Sequence, residues 1–182
     1  MMPISVVLLA GCGDATDTES NDEAGFIQLV DPLDEPERYC FDVSGQGETL
    51  QLDDPAQAHT CKDPKVDEFD DQWFRMNSPE VGMITVEEHA RCVQAAGTVE
   101  GSEILFDDCD TTEALQSWEF TKDGRVSPAD TPTLCWAVTE GKSGEPAGGD
   151  SNLHRDVTLE TCASVDAIYA TWTVPGGSLG SP

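Results

Sequence analysis

Cysteine and tryptophan recur along this 182-residue chain in one order, Cys, Cys, Trp, three times over, and that order constrains the fold more than any other feature. With Cys12 set aside, the remaining cysteines form the pairs Cys40 and Cys61, Cys92 and Cys109, and Cys135 and Cys162, separated by 21, 17 and 27 positions. Trp73, Trp118 and Trp172 each follow the second member of a pair by about ten residues. An even set of thiols implies disulfides wherever a chain is exported, as the apolar leader described below suggests for this one, and although six thiols allow fifteen connectivities, the three similar intervals favour sequential pairing. Metal ligation is the rival reading, but no two of these cysteines stand two to four apart, as zinc sites usually require. Each closed loop of this size contributes about 3 kcal/mol in the chain-entropy account.

The text around the cysteines reads as strands. Tyr39-Cys40-Phe41-Asp42-Val43, Arg91-Cys92-Val93-Gln94-Ala95 and Leu134-Cys135-Trp136-Ala137-Val138 alternate about an apolar face. Thr49-Leu50-Gln51-Leu52, Glu103-Ile104-Leu105-Phe106 and Val157-Thr158-Leu159-Glu160 are predicted second strands, rich in β-prone residues. Third strands carry the tryptophans, Trp73, Trp118 and Trp172, each supplying a large buried ring. Three repeats of about 45 residues are too few to close a propeller, which takes four to eight blades. Three four-stranded units instead make an all-β domain, a β-trefoil with pseudo-equivalent repeats over about 38–77, 78–122 and 123–175, one disulfide per repeat, and a tail over 176–182.

Gln116-Ser117-Trp118 resembles the Gln-x-Trp motif of ricin-type β-trefoil lectins, whose repeats also carry a Cys pair. The run from Phe120 through Lys122-Asp123-Gly124-Arg125-Val126 to Leu134-Cys135 is similar to that family's link into the next repeat, as is Gly82-Met83-Ile84 to Arg91-Cys92. The resemblance spans about residues 38–175, and departs from pattern where Asp71 in unit one and Ala170 in unit three stand for the Gln. It implies a sugar site built from an acid two after the first Cys, an aromatic ring shortly before the second, and an amide near the motif. A carboxylate accepts two hydroxyl hydrogens, a flat ring covers the apolar face of the sugar, and the amide reads which hydroxyls are present. Unit one offers Asp42, His59, Asp70 and Asp71 as carbohydrate-binding residues. Unit two has Gln94 and Asp107 in the corresponding places and unit three has Ala137 and Glu160, so both sites read as lost.

Plainer roles compete for each of these residues. Asp42 can cap a turn, His59 can be an exposed loop residue behind the inserted Asp53-Asp54-Pro55-Ala56 segment, and Phe106 can pack inward. The acidic clusters Asp67-Glu68 with Asp70-Asp71, and Asp107-Asp108 with Asp110, lack the spacing of a calcium loop and read as solvated faces, so no metal or cofactor is expected. Gly141-Lys142-Ser143 imitates the end of a phosphate loop, yet Trp136 stands where that loop needs glycine; the segment reads as a hairpin insertion with Gly144–Asp150 as its tip. His59, His89 and His154 fall in no hydrolase or metalloprotease pattern, and no enzyme activity is expected.

Ile4 to Ala10 is apolar and ends in Leu9-Ala10-Gly11-Cys12, too short to span a membrane. These four residues resemble a bacterial lipobox, implying a signal peptide over 1–11, a lipidated Cys12, and attachment to a membrane of the bacterial cell envelope; an ordinary secretory signal with an incidental Cys is the alternative. No Lys or Arg precedes Cys12, which departs from the signal pattern and points to a true start upstream. Gly13 to Gly25 holds no large apolar residue, and residues 12–37 are predicted to form a disordered acidic tether. With 9 Lys plus Arg against 36 Asp plus Glu, the net charge of −27 argues against a nucleic-acid partner and fits either cation binding or solubility in salt. Two functions from different classes remain: a carbohydrate-binding protein with a glycan ligand, and a trefoil serving as a structural or protein-interaction surface.

Overall fold

The structure is a computed structural model that describes residues 23–76, 81–86, 88–141, 143–144 and 153–173. Unit one contains β1 (Glu23–Gly25), β2 (Gln28–Leu29), β3 (Tyr39–Asp42), β4 (Gln57–Thr60) and β5 (Phe74–Met76). Unit two contains β6 (Val81–Gly82), β7 (Ile84–Val86), β8 (Arg91–Ala95), β9 (Ile104–Asp108) and β10 (Trp118–Phe120). Unit three contains β11 (Val126–Pro128), β12 (Leu134–Val138), β13 (His154–Thr161) and β14 (Trp172–Thr173). Counting the interrupted pairs β1/β2 and β6/β7 as single strands leaves four strands per unit.

One register is used three times. The strand bearing the first Cys pairs with the strand leading to the second, so that Cys40 lies opposite His59, Cys92 opposite Asp107 and Cys135 opposite Glu160. The three hairpins also touch one another, through Arg155 opposite Ala58, the Ala56 N–H to the Ile104 carbonyl at 2.7 Å, and a bridge between Glu103 and Thr158. First and fourth strands alternate around a ring: β2 on β14, β1 on β5, β5 on β7, β6 on β10 and β10 on β11. The Trp172 N–H donates to the Gly124 carbonyl at 2.8 Å and completes the circuit. A closed ring removes the exposed edges that make open sheets prone to pairing with other chains. The result is the all-β trefoil expected from the repeat.

The domain begins earlier than expected. Residues 23–37 do not form a tether: β1 and β2 complete the ring, and Ile27 and Leu29 have no exposed surface. The physical cause is the alternation Phe26-Ile27-Gln28-Leu29-Val30, which gives a pleated strand one fully apolar face. Residues 12–22 and the predicted signal, including Cys12, lie outside the described residues, as do 145–150 of the hairpin tip and the tail over 176–182.

The second strand of unit one is also displaced. Thr49-Leu50-Gln51-Leu52 forms the end of a 3-10 turn over Gly47–Thr49 and a bend, while the strand that pairs with Cys40 is Gln57–Thr60, after the insertion. The aromatic plugs differ too. Phe74, Trp118 and Trp172 fill the three equivalent slots, and Trp73 points outward. Phe74 needs no polar partner there, whereas the two indoles donate to the carbonyls of Val93 (2.8 Å) and Trp136 (3.2 Å), each one residue past the first Cys of its unit. Trp136 fills the centre, stacked on Phe41 at 4.4 Å and edge-on to Trp118 and Trp172 at 5.0 and 6.3 Å.

Two disulfides are formed, Cys40–Cys61 and Cys92–Cys109. The third pair departs from the expectation of one bond per repeat: Cys135 and Cys162 are free thiols lying close together. Burial, with Cys162 beside it, pushes the Cys135 thiol up to about 12. Arg155 supplies a further tie where unit one meets unit three, and its guanidinium is buried over the Tyr39 ring. It donates to Asp34 Oδ1 (2.6 Å) and to the carbonyls of Thr139 (2.6 Å) and Gly141 (2.7 Å). Burial raises the Asp34 carboxyl, but donors from Arg155, Ser143 and Tyr39 outweigh it and hold the group well below the ordinary carboxylate range.

Candidate functional site

The motif glutamine explains how each fourth strand is tied to its Cys hairpin. In unit two, Gln116 Oε1 accepts from the Asp110 N–H (2.9 Å) while Nε2 donates to the Asp108 carbonyl (2.9 Å), so one amide brackets Cys109 from both sides. Unit one repeats this with Gln72, which accepts from the Lys62 N–H (2.9 Å) and donates to the Thr60 carbonyl (3.0 Å). The Gln of unit one is therefore Gln72, its motif being Gln72-Trp73-Phe74, and Asp71 is the residue before it. Ala170 leaves unit three without this bracket.

The same amides reach the residue two after the first Cys. Gln116 Nε2 donates to Gln94 Oε1 at 2.9 Å, and Gln72 Nε2 to Asp42 Oδ2 at 2.9 Å. Asp42 lies opposite Gln57 on β4, and Gln57 Nε2 donates to Asp42 Oδ1 at 2.7 Å. Asp71 is nearby and buried, and pairs with the Lys62 ammonium. Burial, aided by the charge of Asp71, pushes the Asp42 carboxyl up to about 8. Burial also raises Asp71, against the pull of Lys62. Two buried carboxylates share one cation here, and the proton stays on Asp42, the acid without the direct ammonium contact.

Of the four expected residues, the structure brings Asp42 and Asp71 together. His59 lies one step along the same face of β4 from Gln57, in register between Cys40 and His154. Burial lowers its imidazole below the ordinary value, which keeps the ring neutral at pH 7. Asp70 is elsewhere: its Oδ2 lies 3.9 Å from His89 Nε2, beside Trp73 rather than Asp42. Gln57, Lys62 and Gln72 were missed. Gln57 stands opposite Asp42 in the paired strands, and Gln72 stands two before an aromatic in the pattern of Gln116-Ser117-Trp118.

Gln57 connects this buried network to the surface, where it lines a cavity of about 370 Å³ with Ser44, Asp54, Glu103, His154 and Asp156 among its walls. His154 is held close by Gly144; a Cβ there would lie 2.6 Å from the imidazole Nε2, so glycine is required for the approach. Such a cavity, floored by an amide and walled by oxygen acceptors and an imidazole ring, is suited to a polyhydroxyl ligand. In unit two the register counterparts of Asp42, His59 and Gln72, namely Gln94, Asp107 and Gln116, line a surface cavity of their own, while Leu105 stands where Gln57 does; in unit three Thr158, the counterpart of Gln57, and Glu160 line a cavity with no amide. Among the described residues, no cluster of His, Cys, Asp or Glu could hold a metal ion.

Threefold register, bracketing glutamines and cystine-closed hairpins together define a lectin-type trefoil, and the chain belongs to the family of ricin-type β-trefoil lectin domains. The family's pattern matches residues 33–147 and again 80–179. The chain is similar in structure to an agglutinin from Abrus precatorius (TM-score 0.61, 16% identity), covering 90% of this chain and 52% of that one. It is also similar to the β-trefoil lectin of the Vibrio vulnificus hemolysin/cytolysin, solved with N-acetyl-D-lactosamine bound (TM-score 0.53, 15% identity, 85% and 94% covered). A third likeness is the C-half of an earthworm R-type lectin in complex with GalNAc (TM-score 0.52, 10% identity, 84% and 98% covered). The chain thus spans about half the length of the agglutinin, and identities this low speak for the fold alone. No curated protein matches it in sequence.

Proposed function

We propose that the protein binds carbohydrate through unit one, at the surface above Asp42, as a binding protein and not an enzyme. The observation that carries this reading is the Asp42–Gln57–Gln72 network with the Asp71–Lys62 pair beside it, a polar constellation that units two and three lack. Gln57 and the walls of the adjoining cavity supply acceptors and donors for hydroxyls, while the imidazoles of His59 and His154 are the flat surfaces nearby. Solved neighbours with N-acetyl-D-lactosamine or GalNAc bound support a hexose-type ligand. The test is a glycan array probed with the full chain and with Gln57→Ala and Asp42→Ala. Hits that weaken at least tenfold in Gln57→Ala, with a cooperative melt showing that the fold is kept despite the lost hydrogen bond to Asp42, support the site. An array without hits, or hits indifferent to both changes, overturns it in favour of a protein-interaction surface.

Export and anchoring belong to the same proposal: the leader is removed before Cys12, the thiol carries a lipid, and the domain faces the outside of a bacterial membrane. In that oxidising setting Cys135 and Cys162, already adjacent, form the third bond. Intact mass spectrometry of the protein from its native membrane reads both points. A diacylglycerol on a new N-terminal Cys12 and no free thiols are expected; an unlipidated terminus refutes the anchor, and a cross-unit disulfide refutes the pairing.

A further inference from the structure

We propose that a second groove, where unit one meets unit two, walled by Phe69 and Trp73 and rimmed by Glu68, Asp70 and Glu88, docks a lysine side chain of a basic partner polypeptide. Strand β5 buries Phe74 and Met76, so alternation turns Trp73 away from the core. There the indole meets Phe26 (5.1 Å, 88°) and Phe69 (5.1 Å, 63°), and the two phenyl rings lie 6.0 Å apart at 61°. These three rings, half-buried, are set edge to face outside the hydrophobic core, whose aromatic slot in this unit Phe74 already fills. Their partly exposed faces leave apolar surface open to a partner at the groove.

The groove encloses about 360 Å³, room for one extended side chain, and Gly47 forms part of its lining beside Glu68. Chemistry selects the occupant. A sugar presents both donors and acceptors, but the side chains lining this groove offer three carboxylates and no Lys, Arg or amide among the described residues. One carboxylate is already oriented, since Gln46 Nε2 donates to Glu68 Oε2 at 3.3 Å. A primary ammonium has three N–H donors and no acceptor, matching three carboxylates. Its four-carbon stem covers the ring faces, and the charge gains from the indole quadrupole. The net charge of −27 adds long-range attraction for a basic segment.

The test follows the indole N–H signals of the ¹⁵N-labelled full chain, Trp73 being assigned by its loss in Trp73→Phe, during titration with the peptide acetyl-Ala-Lys-Ala-amide. A saturable shift of the Trp73 signal at millimolar peptide is expected. It should be absent with the Nε-acetyl-lysine peptide and weaken at least fivefold in Glu68→Gln/Glu88→Gln, whose unchanged spectrum elsewhere reports an intact fold. No shift, an equal shift with the acetylated peptide, or an equal shift with N-acetyl-D-lactosamine would overturn the proposal. Because the sugar array reads Gln57 and this titration reads Trp73, the two proposals fail separately.

Discussion

Asp42 is a carboxyl group placed where a negative charge is costly. It is 1% exposed, beside a second acid, with two amides and one shared ammonium to compensate. Its folded value near 8 lies above the ordinary 3.8, so the native state holds a proton that the unfolded chain releases. Stability from this group is therefore full below about pH 4 and lost progressively as pH rises toward 8. Asp42→Asn removes the charge and keeps the shape, and Gln57 can turn its amide to suit. The variant is expected to match the wild type near pH 3.5 and to unfold at a higher temperature at pH 8, by several kcal/mol of stability, at about 1.4 kcal/mol per pH unit across that window; thermal melts at both values check this, and equal pH slopes would refute it. At this scale the acids were legible, since Asp42 and Asp71 stand at fixed offsets from Cys40 and the aromatic strand. The choice between Trp73 and Phe74 was not. Two adjacent aromatics both satisfy the pattern, and a slip of one residue exchanges the inward and outward faces of a strand.

Among the elements, the first strand of unit one changes the account most. Phe26-Ile27-Gln28-Leu29-Val30 follows an acidic run whose composition resembles disorder, and only its pairing with both β5 and β14 shows where it belongs. A strand of this kind is hard to read because its partners lie far away in sequence, at Phe74 and Trp172. Its weight in the fold can be measured: Ile27→Ala is expected to cost about 2–5 kcal/mol, as for other fully buried side chains, whereas a residue in a tether would cost nothing. Urea unfolding of the variant separates the two. The cystine hairpins were legible because covalent spacing does not depend on register, and two of the three close as read. The insertion at 53–56 shifted the strand of unit one to Gln57–Thr60, since both Thr49–Leu52 and that segment have strand-like composition.

For the whole molecule, 36 acids against 9 strong bases mean that folding gathers like charges onto one small surface. Among the described residues some acids are offset locally, as Asp34 is by Arg155, Asp71 by Lys62 and Asp108 by Arg91. Screening shortens the reach of the remainder to about 10 Å at 0.1 M salt. Raising sodium chloride from 10 to 200 mM is therefore expected to lift the melting temperature by several degrees; a fall would show that local pairs outweigh the general repulsion. The trefoil as a whole was legible because its repeat is covalent and aromatic, whereas its sites rest on single-residue differences between units.

The strand pair that brings Gln28 opposite Thr173 leaves the ring without a natural first member. Sequence order is then only one of three ways to walk the same circle. A chain spliced across that seam, and severed instead at the joint between two other units, would meet the same neighbours at every step.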